Sequence, residues 1–233
     1  TTLLGYNRAT DNSRSTGSTI KPVIDYGPAI EYLNYSTGQT IMDQKTTYSN
    51  GVELNNWDFS HKGAMTLRTA LVYSRNTTAL QTFKAVVEKD IKSFLNNLDI
   101  QIKNDGQDYL VESNSIGADI SPIKMAAAYA AFGNYGTYSK PYTVTKVTTR
   151  DGQVTEFKPE QKQAMKDSTA YMITDVLKDS FKYGFATQAA IPGLPTAAKT
   201  GSSNYTVEQK RAMGASDYED IIPDSWFIGY STD

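Results

Sequence analysis

Residues 121–133 read Ser-Pro-Ile-Lys-Met-Ala-Ala-Ala-Tyr-Ala-Ala-Phe-Gly. Ser is a favoured helix N-cap, and Pro at the next position loses only an N–H that the first turn leaves unpaired. Gly133 or Gly136 closes the segment. This is a helix whose surface is mostly methyl groups. Ala126, Ala127, Ala128, Ala130 and Ala131 let neighbouring elements approach its backbone closely, which predicts a place at the centre of a domain. The longest apolar run, Met125 to Phe132, has eight residues. That is far short of the ~20 needed to cross a bilayer.

Other segments fit around such a helix. Thr66 to Val72 is a short helical pattern ending at Ser74-Arg75-Asn76. Leu80, Phe83 and Val87 fall on one face of a second helix. Ile91, Phe94, Leu95 and Leu98 recur at helical spacing in a third. Ser168 to Phe181 carries Met172, Ile173, Val176, Leu177 and Phe181 on one face, and Gly184 ends it. Residues 142–147 and 154–157 alternate apolar and polar around Arg150-Asp151-Gly152-Gln153, a hairpin pattern. Ala197 to Ser203 is a strand of small residues, which allows close backbone approach. Ser225 to Ser231 is an apolar strand, and residues 204–223 between the two read as polar loop. Thr1 to Ser15 is loop-like. Tyr35 to Trp57, rich in Thr, Ser, Asn and Gly, reads as a long excursion of the kind that rims functional sites.

The 233 residues suit one large domain. A net charge of −2 gives no basic footprint for nucleic acid. Without cysteine there are no disulfides or thiolate metal sites. The single His61 makes a zinc cluster or a His-based triad a poor reading, and it is expected at the surface. No metal or cofactor is called for. Asn34-Tyr35-Ser36, Asn76-Thr77-Thr78 and Asn204-Tyr205-Thr206 match a glycosylation pattern that matters only in a eukaryotic secretory setting.

The chemistry is concentrated elsewhere. Ser18 and Lys21 stand three residues apart where a helix begins, with Pro22 in its first turns and Gly27-Pro28 suggesting a bend or break. Positions i and i+3 share a helix face, so an amine can activate the hydroxyl. Helix N-terminal N–H groups suit a developing oxyanion. Alone the pattern is weak: Ser121 to Lys124 repeats the spacing, and there the Ser reads as a cap. Ser74-Arg75-Asn76 and Lys199-Thr200-Gly201 complete an ordered set. Ser202-Ser203-Asn204 is a second Ser-x-Asn, but only one combination runs Ser-x-x-Lys, Ser-x-Asn, Lys-Thr-Gly.

That triple is the signature of serine acyltransferases acting on penicillin and on D-alanyl-D-alanine peptides. Gly5 to Thr10, Asp25 to Glu31, Lys124 to Phe132 and Trp226 to Tyr230 extend the likeness. From Gly5 onward the chain resembles the transpeptidase domain of class A penicillin-binding proteins of Gram-positive bacteria. The resemblance implies the penicillin-recognising α+β fold, an antiparallel sheet between helical layers with the Lys-Thr-Gly strand at the cleft rim. It implies one incomplete domain, residues 1–233, whose flanking strands, glycosyltransferase domain and membrane anchor lie outside the chain. It further implies a place on the extracytoplasmic face of the cell membrane, with a membrane-anchored parent and cell-wall assembly partners.

The resemblance assigns roles as well. Ser18 is the nucleophile and Lys21 the general base, with a pKa lowered by burial and by Lys199. Ser74 relays a proton to the leaving amine, and Asn76 holds Lys21 and the substrate amide. Lys199, Thr200 and Ser202 bind the substrate carboxylate, and Gly201 leaves room for the substrate backbone. The N–H groups of Ser18 and Ser202 form an oxyanion hole. Ser202-Ser203 departs from the Thr-Ser or Thr-Thr of many members, keeping the hydroxyl without the methyl. The expected substrates are stem peptides ending in D-Ala-D-Ala and β-lactam antibiotics. A D,D-carboxypeptidase or a β-lactam-sensing receptor domain is the alternative. A β-lactamase is disfavoured, because no Glu-x-x-x-Asn follows Asn76.

Overall fold

A computed structural model describes residues 5–205, 207–216 and 221–231. After an N-terminal loop, β1 (Arg14–Ser15) leads into one continuous helical run. It opens as a 3-10 turn (Gly17–Ile20), widens to a π-helical turn (Pro22–Tyr26) and settles into α1 (Gly27–Leu33). The expected break at Gly27-Pro28 does not occur. Gly27 has helical angles (φ −59°, ψ −54°), and a Cβ there would lie 2.8 Å from the Phe94 ring. Its glycine serves close packing, not bending. The run ends at Asn34 in the left-handed conformation.

The excursion after α1 is more ordered than its composition suggests. β2 (Thr40–Asp43) pairs antiparallel with β5 (Gly63–Thr66), and between them β3 (Thr46–Thr47) pairs with β4 (Glu53–Leu54). Three helices follow: α2 (Leu67–Val72), α3 (Asn76–Ala85) and α4 (Glu88–Asn97). Thr66 caps α2 by accepting from the Thr69 N–H. Ile91, Phe94, Leu95 and Leu98 are buried as their spacing predicts. Val87 is not: α3 stops at Ala85, and Val87 becomes the exposed residue that starts α4.

β6 (Asp119–Ile120) pairs with β1, and α5 (Pro122–Gly133) follows. Ala127, Ala128 and Ala131 of α5 are buried, whereas Ala126 and Ala130 face outward. The helix therefore borders the core along one side instead of being enclosed. Ser121 starts it without a side-chain cap hydrogen bond. Next come β7 (Thr137–Ser139), β8 (Lys146–Thr148), β9 (Val154–Glu156) and β10 (Gln161–Gln163). β8–β9 is the expected hairpin, and it projects with both faces exposed. α6 (Asp167–Lys178) buries Ile173, Val176 and Leu177.

β11 (Thr196–Ser202) and β12 (Ser225–Ser231) form a seven-residue antiparallel ladder. α7 (Val207–Ala212) interrupts the connection expected to be loop throughout. The ladder packs against α5 and α6. A Cβ at Gly133 of α5 would lie 2.8 Å from the Tyr230 ring, and Tyr230 Oη lies 2.8 Å from Thr174 Oγ1 of α6. The α+β expectation is met, with a difference in form: among the described residues every sheet is two-stranded. No described helix is long and apolar enough to cross a membrane.

Phe94 is fully buried against α1. Phe94→Ala should cost about 3–5 kcal/mol in a denaturant titration. Val154→Ser on the exposed hairpin should stay within about 0.5 kcal/mol. Similar losses for the two would contradict this core assignment.

Candidate active site

Ser18 sits in the 3-10 turn, with Gly17 and Thr19 buried on either side. Three residues make one 3-10 turn, so the Ser18 and Lys21 side chains lie nearly one above the other. The Lys21 N–H donates to the Ser18 carbonyl. Thr16 fixes the entry: its N–H and hydroxyl both donate to the Ala118 carbonyl, at 3.0 and 3.1 Å. The Thr19 hydroxyl donates back to the Thr16 carbonyl at 2.8 Å.

Two glycines clamp this turn to β11. Gly17 has φ +50°, a region glycine adopts readily, and a Cβ there would lie 2.2 Å from the Ser202 carbonyl oxygen. A Cβ on Gly201 would lie 2.7 Å from the Thr16 carbonyl oxygen and 2.8 Å from the Thr19 nitrogen. The room Gly201 leaves is thus filled by the backbone of Thr16 and Thr19, on either side of Ser18. The sequence reading gave that room to the substrate; the close approach of strand and turn takes it first. The ladder register puts Thr200 and Ser202 on one face with Phe227 and Ser225. Lys199 and Gly201 occupy the other.

Lys21 is fully buried. Its Nζ donates to the Ser74 carbonyl at 2.8 Å, to Asn76 Oδ1 at 2.7 Å and to the Arg75 carbonyl at 3.3 Å, and it lies 3.3 Å from Ser74 Oγ. Lys199, 2% exposed, donates to the same Ser74 Oγ at 2.9 Å and to the Thr200 carbonyl at 2.9 Å. Three distant segments therefore converge on one hydroxyl. Ser74 itself has φ +54°, a strained left-handed conformation for a residue with a side chain, held by the α2–α3 turn. Among the described residues Ser18 Oγ has no hydrogen-bond partner, and Lys21 follows it by one turn.

Burial pushes the Lys21 amine well below its usual range, and the charges of Lys199 and Arg75 push the same way, partly offset by Asp25. Burial also brings Lys199 down to about 7. Asp25, one turn beyond Lys21, is fully buried, and burial drives its carboxyl well above the usual carboxylate range. A neutral amine has two N–H bonds and one lone pair. At Lys21 the neutral form can serve two of its three acceptor oxygens at once, whereas the ammonium serves all three.

The sequence reading missed the supports behind this cluster. Asn56 Oδ1 accepts from the N–H groups of Asn76 at 2.7 Å and Thr77 at 3.3 Å, capping α3 from another segment. Trp57 Nε1 donates to the Tyr73 carbonyl at 3.1 Å. Both residues belong to the stretch read as an excursion, and nothing in one sequence signals where it returns. His61 is exposed as expected, with Nδ1 3.7 Å from Asp43 Oδ1.

The fold thus brings Lys21, Lys199, Ser74 and Asn76 together, with Lys21 one helical turn from Ser18. The family profile described as "Penicillin binding protein transpeptidase domain" matches residues 4–233, and the chain belongs to that family. It is 42% identical over 97% of its length to penicillin-binding protein 1A/1B of Bacillus subtilis, of which it covers 25%. It is 41% identical over 97% of its length to penicillin-binding protein 1A of Streptococcus pneumoniae, of which it covers 32%. The chain thus spans a quarter to a third of these relatives. Among solved structures, PonA1 of Mycobacterium tuberculosis superposes with a TM-score of 0.83 at 20% identity, covering 98% of this chain and 60% of that one. The D,D-transpeptidase domain of an Eggerthella lenta peptidoglycan glycosyltransferase gives 0.78 at 21% identity, covering 97% and 59%. These two support the fold.

The lowered Lys199 value has a stability consequence. Between about 7 and 10.5 the unfolded chain keeps a proton that the folded chain has released. Stability therefore rises with pH across that window. Lys199→Met removes this contribution. Denaturant titrations at about pH 7 and about pH 9 should show a smaller gain with pH for the variant than for the unsubstituted protein. Equal gains would contradict the burial-lowered amine.

Proposed function

We propose that the domain is a serine-type D,D-transpeptidase that crosslinks peptidoglycan stem peptides through an acyl-Ser18 intermediate and is blocked covalently by β-lactams. The observation that carries this reading is the convergence on Ser74 of Lys199 and of Lys21, which stands one helical turn from Ser18. A buried amine whose hold on its proton is weakened, one helical turn from a serine hydroxyl, is suited to acyl transfer.

Ser18 Oγ attacks the carbonyl joining the two terminal D-alanines and passes its proton to Lys21. The C–N bond then breaks. The leaving amine takes a proton through Ser74, and D-alanine departs. In the second half an acceptor amine attacks the ester carbonyl and gives up one proton to Lys21, the C–O bond to Ser18 breaks, and Ser18 Oγ takes that proton. The N–H groups of Ser18 and Ser202 face the developing oxyanion, each such donor contributing about 3 kcal/mol. Lys199, Thr200 and Ser202 hold the terminal carboxylate. Asn76 serves Lys21 and the substrate amide.

A β-lactam enters the same path, but ring opening leaves the departing nitrogen tethered, so the adduct persists. The contexts we assign are the extracytoplasmic face of the bacterial membrane, a membrane-anchored parent and cell-wall assembly partners.

Incubation with a fluorescent penicillin should give a long-lived adduct that peptide mass spectrometry places on Ser18. Ser18→Ala should abolish it, and full labelling of that variant would overturn the nucleophile. With a D-Ala-D-Ala peptide and an added amine, a transpeptidase yields the amide product. Release of free acid alone would indicate a carboxypeptidase, and a stable lactam adduct with no peptide turnover would indicate a sensor.

A further inference from the structure

Behind the Ser74-Arg75-Asn76 turn lies a buried ionic network that no sequence motif announces. Asp43, at the end of β2, is 1% exposed, and its carboxylate gathers four donors. Oδ2 accepts from Arg75 Nε at 2.9 Å and from the Lys62 N–H at 2.9 Å. Oδ1 accepts from Thr77 Oγ1 at 2.6 Å and from Asn56 Nδ2 at 2.8 Å. Arg75 is 2% exposed. Its remaining guanidinium nitrogens donate to Asp58 Oδ1 at 2.9 Å and to the Ser60 carbonyl. Asn56 uses its other face to accept from the Asn76 and Thr77 N–H groups.

Two of these arms end on Arg75 and Asn76, residues that hold Lys21. The side chain of Arg75 is anchored, and its carbonyl accepts from Lys21 Nζ. Asn76 is pinned by its N–H, and its Oδ1 accepts from Lys21 Nζ at 2.7 Å. Ser74, the next residue back, contributes both its carbonyl and its hydroxyl. A carboxylate that gathers four donors in a dry site costs considerable desolvation unless every contact is kept. The hydrogen bonds from Thr77, Lys62 and Asn56 and the charge of Arg75 outweigh that cost and hold the Asp43 carboxyl below its usual range. Packing alone would not require an ion here. A fixed acceptor geometry on the α2–α3 turn would.

We propose that Asp43 is a positioning residue for acylation: through Arg75 and Asn56 it fixes the Ser74-Arg75-Asn76 turn whose oxygens hold Lys21. This rests on the acyl-serine reading above. Asp43→Asn keeps the shape but turns an N–H₂ group toward donors, so Arg75 Nε and the Lys62 N–H lose their acceptor. Displacement of the turn then moves the Lys21 lone pair relative to Ser18. The chemical step should suffer, whereas the open side of the cleft, formed by β11, is untouched.

The test is stopped-flow acylation with a fluorescent penicillin, separating the non-covalent binding constant from the rate of the chemical step. Asp43→Asn should slow the chemical step at least tenfold with binding changed less than twofold. Leu95→Ala, a core variant outside the network, should lower the melting temperature without slowing the step. If Asp43→Asn does not fold, Asp58→Asn decides. It removes the outer arm of the same guanidinium and should slow the step severalfold. A folded Asp43→Asn that acylates within twofold of the unsubstituted protein overturns the proposal. So does a defect wholly in binding, or an unchanged rate in Asp58→Asn when Asp43→Asn is unfolded. Failure of the unsubstituted protein to label at all overturns the acyl-serine reading and this proposal with it.

Discussion

Two lysine amines are buried side by side around one serine hydroxyl, and much of the structure exists to make that arrangement tolerable. An ammonium taken out of water without a paired anion is costly, and a lysine meets that cost by releasing its proton. Here neither amine has a carboxylate within hydrogen-bonding distance. Lys21 is held by two backbone carbonyls, an amide oxygen and a hydroxyl, and Lys199 by a hydroxyl and a carbonyl. Neutral acceptors orient an amine without fixing its charge. The carboxylates nearby are spent elsewhere, Asp43 and Asp58 on Arg75. Asp25 is buried at a raised pKa, so it is a weak counter-ion for Lys21.

The two amines and the Ser74 hydroxyl come from three segments far apart in sequence, and glycines make the meeting possible. Gly17 and Gly201 let the turn of Ser18 and the strand of Lys199 touch backbone to backbone. Gly27 lets the Phe94 ring pack against the helix that carries Lys21. Between the 3-10 turn and α1, the π-helical turn changes the side-chain direction along one continuous run. Such turns cost helix stability and tend to mark functional positions.

Much of this could be read in the sequence, for physical reasons. Hydrophobic spacing found α4 and α6 because both bury one face. The Gly152 turn found the β8–β9 hairpin. The ordered triple named Ser18, Lys21, Ser74, Asn76 and Lys199, and the structure brings Lys21, Lys199, Ser74 and Asn76 into one hydrogen-bonded cluster next to Ser18. What could not be read depends on long-range partners. Asn56 caps α3 from 20 residues away, and Asp43 holds Arg75 across 32; both are polar residues in a polar stretch, with no local pattern. Gly27 looked like a breaker because its partner, the Phe94 ring, lies on another helix. Val87 kept helical spacing with Phe83 but fell beyond the end of α3. The role given to Gly201 was misplaced because close approach by the Ser18 turn is invisible in the strand's own residues.

The central claim is that Lys21 is poised to take a proton because it is buried without a charged partner. NMR of ¹³C-labelled lysine side chains, with the Lys21 signal assigned by its loss in Lys21→Met, measures this directly. The account predicts a Lys21 titration well below the 10.5 of an ordinary lysine, so that the amine is neutral when the solvent-exposed lysines are still charged. A Lys21 signal that titrates together with those surface lysines would contradict it.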